Sequence, residues 1–98
     1  MSKFGEIIAS EKLVLVDFFA TWCGPCKTLA PILEQVSKKV GNKSKIIKID
    51  VDKNKALAGK LNVRGVPTLI LYKQGKIVWR QSGVVPAQEL VRLINQHA

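Results

Sequence analysis

The stretch Leu13-Val14-Leu15-Val16-Asp17-Phe18-Phe19-Ala20-Thr21-Trp22-Cys23-Gly24-Pro25-Cys26 decides how the rest of the chain is read. Its first seven residues make a β-type run, apolar on both faces, as in a strand buried within a parallel sheet. Gly24 and Pro25 then punctuate the chain. Pro25 suits the first turn of a helix, where its missing N–H leaves no extra gap in the bonding. From Pro25 to about Val40, Leu29, Ile32, Leu33 and Val36 recur at helical spacing. Pro31 falls inside this helix and is expected to kink it, because it removes one ladder bond and crowds the preceding turn. Gly41 and Asn42 end it. A strand end, a tight turn and a helix start thus meet at two cysteines two residues apart.

Outward from this point the pattern alternates between periods. Phe4, Ile7 and Ile8 follow Ser2 at helical spacing and predict a short first helix. Lys45 to Val51 reads as a second strand and Ala56 to Leu61 as a short helix. Thr68 to Lys73 and Lys76 to Ser82 read as a hairpin turning at Gln74-Gly75. Pro86 opens a last helix with Ala87, Leu90, Val91 and Ile94 on its buried stripe. The order is α-β-α-β-α-β-β-α. The first β-α-β unit should be parallel and right-handed, and the hairpin should add antiparallel strands. The expectation is an α/β fold: a four-stranded mixed sheet with helices on both faces, formed by one domain over residues 1–98.

Composition narrows the function classes. Hydrophobic residues make up 47% and charged residues 23% of the 98, which excludes a disordered chain. No apolar run approaches the roughly 20 residues of a membrane span. The N-terminal MSKFGEIIASEK lacks the apolar core of a signal peptide, so the cytoplasm is the expected location. Sixteen Lys and Arg against seven Asp and Glu give a net charge of +9. Eight cations lie between Lys38 and Lys60, opposed there only by Asp50 and Asp52. No aromatic residues are interleaved to stack bases, so a solvated basic surface is expected, without a nucleic-acid or membrane partner. Cys23 and Cys26 are the only cysteines and His97 the only histidine, too few for a four-ligand zinc site. A redox dithiol or two inert thiols remain.

The setting favours the dithiol. Cys23 sits at a helix N-terminus, where unpaired N–H groups favour a thiolate by a few tenths to about 2 kcal/mol. The strand-to-helix junction should expose the first sulfur and bury the second. Cys26 can then reach Cys23 without large backbone movement, so Cys23 can attack a partner disulfide and Cys26 resolve the mixed disulfide.

Trp22-Cys23-Gly24-Pro25-Cys26, preceded by Val16-Asp17-Phe18-Phe19-Ala20, resembles the active-site stretch of thioredoxins. Lys48-Ile49-Asp50-Val51-Asp52, Val63-Arg64-Gly65-Val66-Pro67-Thr68 and Gly83 fall where that family carries similar residues, so the resemblance covers nearly the whole chain. Two departures stand out. Phe19-Ala20 replaces the family's usual tryptophan-alanine, and the family's first β-strand has no counterpart. Four strands in the order 2-1-3-4 are therefore expected, a short form of the fold. The Lys45–Val51 strand would form an edge whose charges discourage unwanted pairing; a monomer is expected.

The resemblance implies a carrier of two electrons that reduces protein disulfides, with Cys23 as nucleophile and Cys26 as resolving thiol. The disulfide itself carries the electrons, so neither a bound cofactor nor a metal is implied. A flavin-containing, NADPH-dependent thioredoxin reductase would restore the dithiol, and disulfide-bearing client proteins would oxidise it. Asp17 has two readings: a structural carboxylate bonded to nearby backbone, or the family's buried aspartate, which takes a proton from Cys26. Lys48 is either a solvated edge lysine or the charge that tunes Asp17. Pro67 is implied to follow a cis bond against the dithiol, leaving the Val66 backbone free for an extended client segment. Trp22, Gly65, Val66, Gly83 and Val84 would line a flat client-docking rim, with Gly24 and Pro25 in the active-site turn. Trp79 and Tyr72 are read as sheet packing. Rival readings are a disulfide isomerase or oxidant of the same fold, a glutaredoxin, and a binding subunit without turnover. The Gly24-Pro25 pair disfavours the first. The glutathione-binding pattern expected of the second is not matched.

Overall fold

Period-two alternation along β1 (Leu13–Phe19) separates two cores. Leu13 and Leu15 face one side of the sheet, and Val14, Val16 and Phe18 face the other. The computed structural model describes residues 3–98. In chain order the remaining elements are α1 (Lys3–Ser10), α2 (Gly24–Val40), a 3-10 turn (Gly41–Lys43), β2 (Lys45–Asp50), α3 (Lys55–Lys60), β3 (Thr68–Lys73), β4 (Lys76–Ser82) and α4 (Ala87–His97). Ser2, read as the start signal of the first helix, lies outside the described residues.

The sheet order is β2-β1-β3-β4. β1 and β2 run parallel, while β1–β3 and β3–β4 are antiparallel. The two central strands, β1 and β3, carry nearly unbroken apolar sequence because both of their faces are covered. On one face Leu13, Leu15, Leu69 and Leu71 pack with Leu29, Leu33 and Val36 of α2 and Leu90 and Ile94 of α4. On the other, Phe18, Ile70 and Tyr72 meet Phe4 and Ile8 of α1 and Leu57 of α3. Each fully buried side chain of this size contributes on the order of 1.5–3 kcal/mol.

The second strand stops one residue short of the sequence reading. Val51 leaves the ladder, and its N–H donates to the Phe19 carbonyl at 2.9 Å. This bond fastens the exit of β2 to the chain entering the cysteine loop. α2 continues through Pro31, which is exposed. The β3–β4 hairpin turns at Gln74 and Gly75, with φ of 51° and 81°, a conformation glycine adopts without steric cost. β2 and β4 are the sheet's edges. No helix among the described residues is long and apolar enough to cross a membrane.

Candidate redox site

The site lies at the end of the sheet where the parallel strands β1 and β2 terminate. Cys23 is the N-cap of α2: its backbone is extended, and its Sγ accepts the Cys26 N–H at 3.1 Å. Pro25 occupies the first turn of α2. Cys23 and Cys26 are joined as a disulfide. A helix N-terminus and a direct N–H bond both favour negative charge on Cys23 Sγ when the bond is reduced.

The expected exposure of the first sulfur is corrected by the structure. Both cysteines are buried, at 4% and 6% exposure. They pack with Ala20 and against Phe19, Val51 and Val66, which cover the pair in the disulfide form. Cys23 Sγ lies 3.6 Å from the Val66 carbonyl oxygen.

The Val66–Pro67 bond is cis. Pro67 is buried and Gly65 exposed, and the Val66 N–H has no backbone partner among the described residues. This loop hangs from β4. Gly83, at φ 95°, donates its N–H to the Pro67 carbonyl at 2.9 Å. Thr68 Oγ1 donates to the Gly65 carbonyl at 2.6 Å and lies 3.2 Å from Ser82 Oγ. Trp22 is 70% exposed and Val84 40%. Cys23, Cys26 and Val66 are thus brought together, with Gly65, Pro67 and Gly83 linked to them through one hydrogen-bonded loop.

Trp22 is not free to swing despite its exposure. Its Nε1–H donates to Asp52 Oδ2 at 2.8 Å. Asp52 is held in turn by Asp50, whose Oδ1 accepts the N–H groups of Asp52 at 2.8 Å and Lys53 at 3.3 Å. Asp52 was not among the residues expected at the site. Its signals were its place in the Lys48–Asp52 stretch of the family resemblance and its position after a strand, where Asp suits a turn.

Asp17 is fully buried on β1, two residues before Phe19. Neither carboxylate oxygen has a hydrogen-bond partner among the described residues, so the backbone-bonded reading of Asp17 is corrected. Desolvation pushes its pKa from about 3.8 up to about 6, and Lys48 partly opposes this. Lys48 faces Asp17 across the β1–β2 register. It is exposed, with Nζ 5.0 Å from the centroid of the Phe19 ring. Lys48 therefore acts on Asp17 through its field and lies outside the cysteine cluster. Among the described residues no three His, Cys, Asp or Glu side chains converge as a metal site would require.

A disulfide capping a helix, beside a cis-proline loop on a mixed α/β sheet, defines a thioredoxin-fold dithiol–disulfide oxidoreductase. The thioredoxin family profile matches residues 1–96. Thioredoxin of Bacillus subtilis is 49% identical over 88 residues, spanning 90% of this chain and 85% of its own. A mutant thioredoxin from Halobacterium salinarum superimposes with a TM-score of 0.90 at 37% identity, covering 99% of this chain and 84% of that one. The oxidised thioredoxin of Plasmodium falciparum gives 0.84 at 41% identity, covering 100% and 92%. The chain belongs to the thioredoxin family, whose members are protein-disulfide oxidoreductases, and it carries the redox-active cysteine pair.

Proposed function

We propose that this chain reduces the disulfides of client proteins by thiolate attack and intramolecular resolution, as a cytoplasmic monomer of one domain. The observation that carries the reading is the Cys26 N–H aimed at Cys23 Sγ on the helix N-terminus. In the reduced state Cys23 is the thiolate. It attacks one client sulfur; the client S–S bond breaks, and the other client sulfur leaves as a thiolate that takes a proton from solvent. Cys26 then gives its proton to Asp17 and attacks Cys23 Sγ. The mixed disulfide breaks, the second client thiolate departs, and the Cys23–Cys26 bond holds the oxidation equivalent. Two electrons have passed to the client. A flavin-containing, NADPH-dependent reductase returns them.

Asp17 suits the proton step because burial brings its pKa to about 6, within reach of neutral pH. Lys48 limits that rise. The unpaired Val66 N–H, with Gly65, Pro67, Gly83, Val84 and Trp22 around it, forms the rim on which an extended client segment docks. The disulfide stores the electrons, so the reading assigns no bound cofactor or metal.

The test is the midpoint potential of the cysteine pair, followed by Trp22 emission in a thiol buffer. Thioredoxins lie at about −270 mV and protein disulfide isomerases at about −180 mV. A value near the first is expected; one near the second would make the protein an oxidant or isomerase. Cys26→Ser should accumulate a mixed disulfide with a client, and Cys23→Ser should not. Client reduction by the Cys23→Ser/Cys26→Ser double variant would reject the dithiol mechanism.

A further inference from the structure

We propose that the end of the sheet opposite the disulfide is a docking surface for an anionic lipid bilayer, formed by Lys12, Lys38, Lys39, Lys43, Lys45 and Lys73 together with Lys76. These residues are scattered in sequence, and strand register gathers them. Lys45 pairs with Val14 at the start of β1, and Leu13 pairs with Lys73 at the end of β3. Lys73 in turn pairs with Lys76 at the start of β4. The Lys12 carbonyl accepts the Gln74 N–H at 2.8 Å, which places Lys12 against the hairpin turn. One lysine therefore stands at the same end of every strand, across three strand spacings or about 14 Å. Lys38 and Lys39 end α2, and Lys43 closes the 3-10 turn that leads into Lys45.

The charge at this end is one-sided. Of the seven acidic residues three come near it, against seven lysines: Glu11 precedes Lys12, Glu34 stands one helical turn before Lys38 on α2, and Glu89 follows Ala87 and Gln88, which line a groove with Lys38 and Lys39. The other four lie elsewhere: Glu6 in the first turn of α1, Asp17 inside the core, and Asp50 and Asp52 at the disulfide end. Six of the seven lysines are exposed and Lys73 is half-buried. None makes an ion pair among the described residues, and only Lys43 bonds a side chain, Asn95 Oδ1 at 3.1 Å. Structural duties account for part of the set. Lys38 and Lys39 complement the C-terminal dipole of α2, and Lys45 and Lys76 discourage pairing at the edge strands. Lys43 ties the 3-10 turn to Asn95 of α4, while Lys12 and Lys73 have no such duty.

The chemistry of the patch selects among polyanions. All seven cations are lysines. The arginines lie apart: Arg64 in the loop after α3, Arg80 bonded to the Leu61 and Asn62 carbonyls, and Arg92 within α4. Protein interfaces favour arginine and aromatic anchors and are depleted in lysine. Single-stranded nucleic acid needs aromatic platforms, and none is exposed here. A lysine field without geometric anchors matches the diffuse negative potential of an anionic leaflet. Ile77, 49% exposed beside Lys76, adds an apolar contact at headgroup depth. Docked this way, the molecule holds its disulfide away from the lipid. The absence of a membrane span does not bear on such peripheral contact.

The experiment is co-sedimentation of the oxidised protein with vesicles of phosphatidylcholine and phosphatidylglycerol at 7:3, in low salt. Binding is expected to these vesicles, to weaken in 0.5 M salt and to be absent with pure phosphatidylcholine. Lys12→Gln/Lys39→Gln/Lys45→Gln should lower partitioning by about 100-fold, from the usual gain per lysine near such a surface. Lys27→Gln/Lys53→Gln/Lys55→Gln removes the same charge at the disulfide end and should lower it far less. Both triple variants should reduce insulin in solution at the wild-type rate. Equal losses in the two variants would reduce the effect to net charge and overturn the proposal. No sedimentation with the anionic vesicles, or tighter binding to duplex DNA or polyglutamate at the same salt, would also overturn it.

Discussion

Two buried polar groups, one on each face of the sheet, face the same problem with different consequences. Asp17 lies on the α2 side of β1, and Tyr72 on the α1 side of β3. The Asp17 carboxylate oxygens and the Tyr72 hydroxyl all lack hydrogen-bond partners among the described residues. Burial disfavours the charged form of both, and a cation partly offsets it in each: Lys48 for Asp17 and Arg80 for Tyr72. For the phenol the upward shift starts from about 10 and leads away from neutral pH. Tyr72 is therefore uncharged in both folded and unfolded chains, and its burial costs only an unmade hydrogen bond. For the carboxyl the same desolvation leads from about 3.8 to about 6, into the range where a proton acceptor is useful. On the proposed mechanism, burial becomes useful only where it carries a group's pKa toward the working pH.

The largest effect should come from removing the charge of Asp17. Folding raises this pKa, so the folded chain holds the proton more tightly than the unfolded chain. The stability penalty is absent below about pH 4, grows as pH rises and is complete once pH passes about 6. Asp17→Asn should stabilise the protein by about 3 kcal/mol above pH 7 and by little near pH 4. Urea unfolding across that range measures it; a gain independent of pH would detach the penalty from the carboxylate. The same variant should slow disulfide exchange at neutral pH by about 100-fold. A smaller effect is expected from Lys48→Met. Without the cation the Asp17 pKa should move above about 6, visible in the carbon chemical shift of its carboxyl group during titration. An unmoved titration would show that Lys48 exerts no field at Asp17. The smallest belongs to the other face. Tyr72→Phe should change stability by less than about 1 kcal/mol, equally from pH 5 to 8, without altering exchange rate. A rate loss there would erase the contrast between the two groups.

Local patterns made most of the frame legible. Leu13–Phe19 read as a buried strand because both of its faces are apolar, and Gly24-Pro25 marked the helix start. The Thr68–Ser82 hairpin followed from two β-type runs around Gln74-Gly75. The cysteines were legible because their spacing and their place at a strand–helix junction are sequence-local. What escaped depends on distant residues meeting. Asp52 reaches Trp22 across thirty positions, a pairing set by the Val51–Phe19 bond and the Asp50 turn. Burial of Cys23 depends on Val66, which arrives from the other half of the chain. The basic run from Lys38 to Lys60 looked like one cluster, yet β2 divides it. Lys38, Lys39, Lys43 and Lys45 go to one end of the sheet, and Lys53 and Lys55 to the other. Strand direction, not sequence proximity, distributes that charge.

The edge position of β2 has an isotopic consequence. Every second amide on this strand points away from β1 and meets only solvent, while those between pair with β1. In heavy water the outward amides of Lys45–Asp50 should take up deuterium almost as soon as the solvent is changed. Those of β1, bonded on both sides and sealed under two helical layers, should exchange only when the whole molecule opens. The deuteration map across the parallel pair should therefore be striped on β2 and blank on β1, a pattern that marks the sheet's boundary amide by amide.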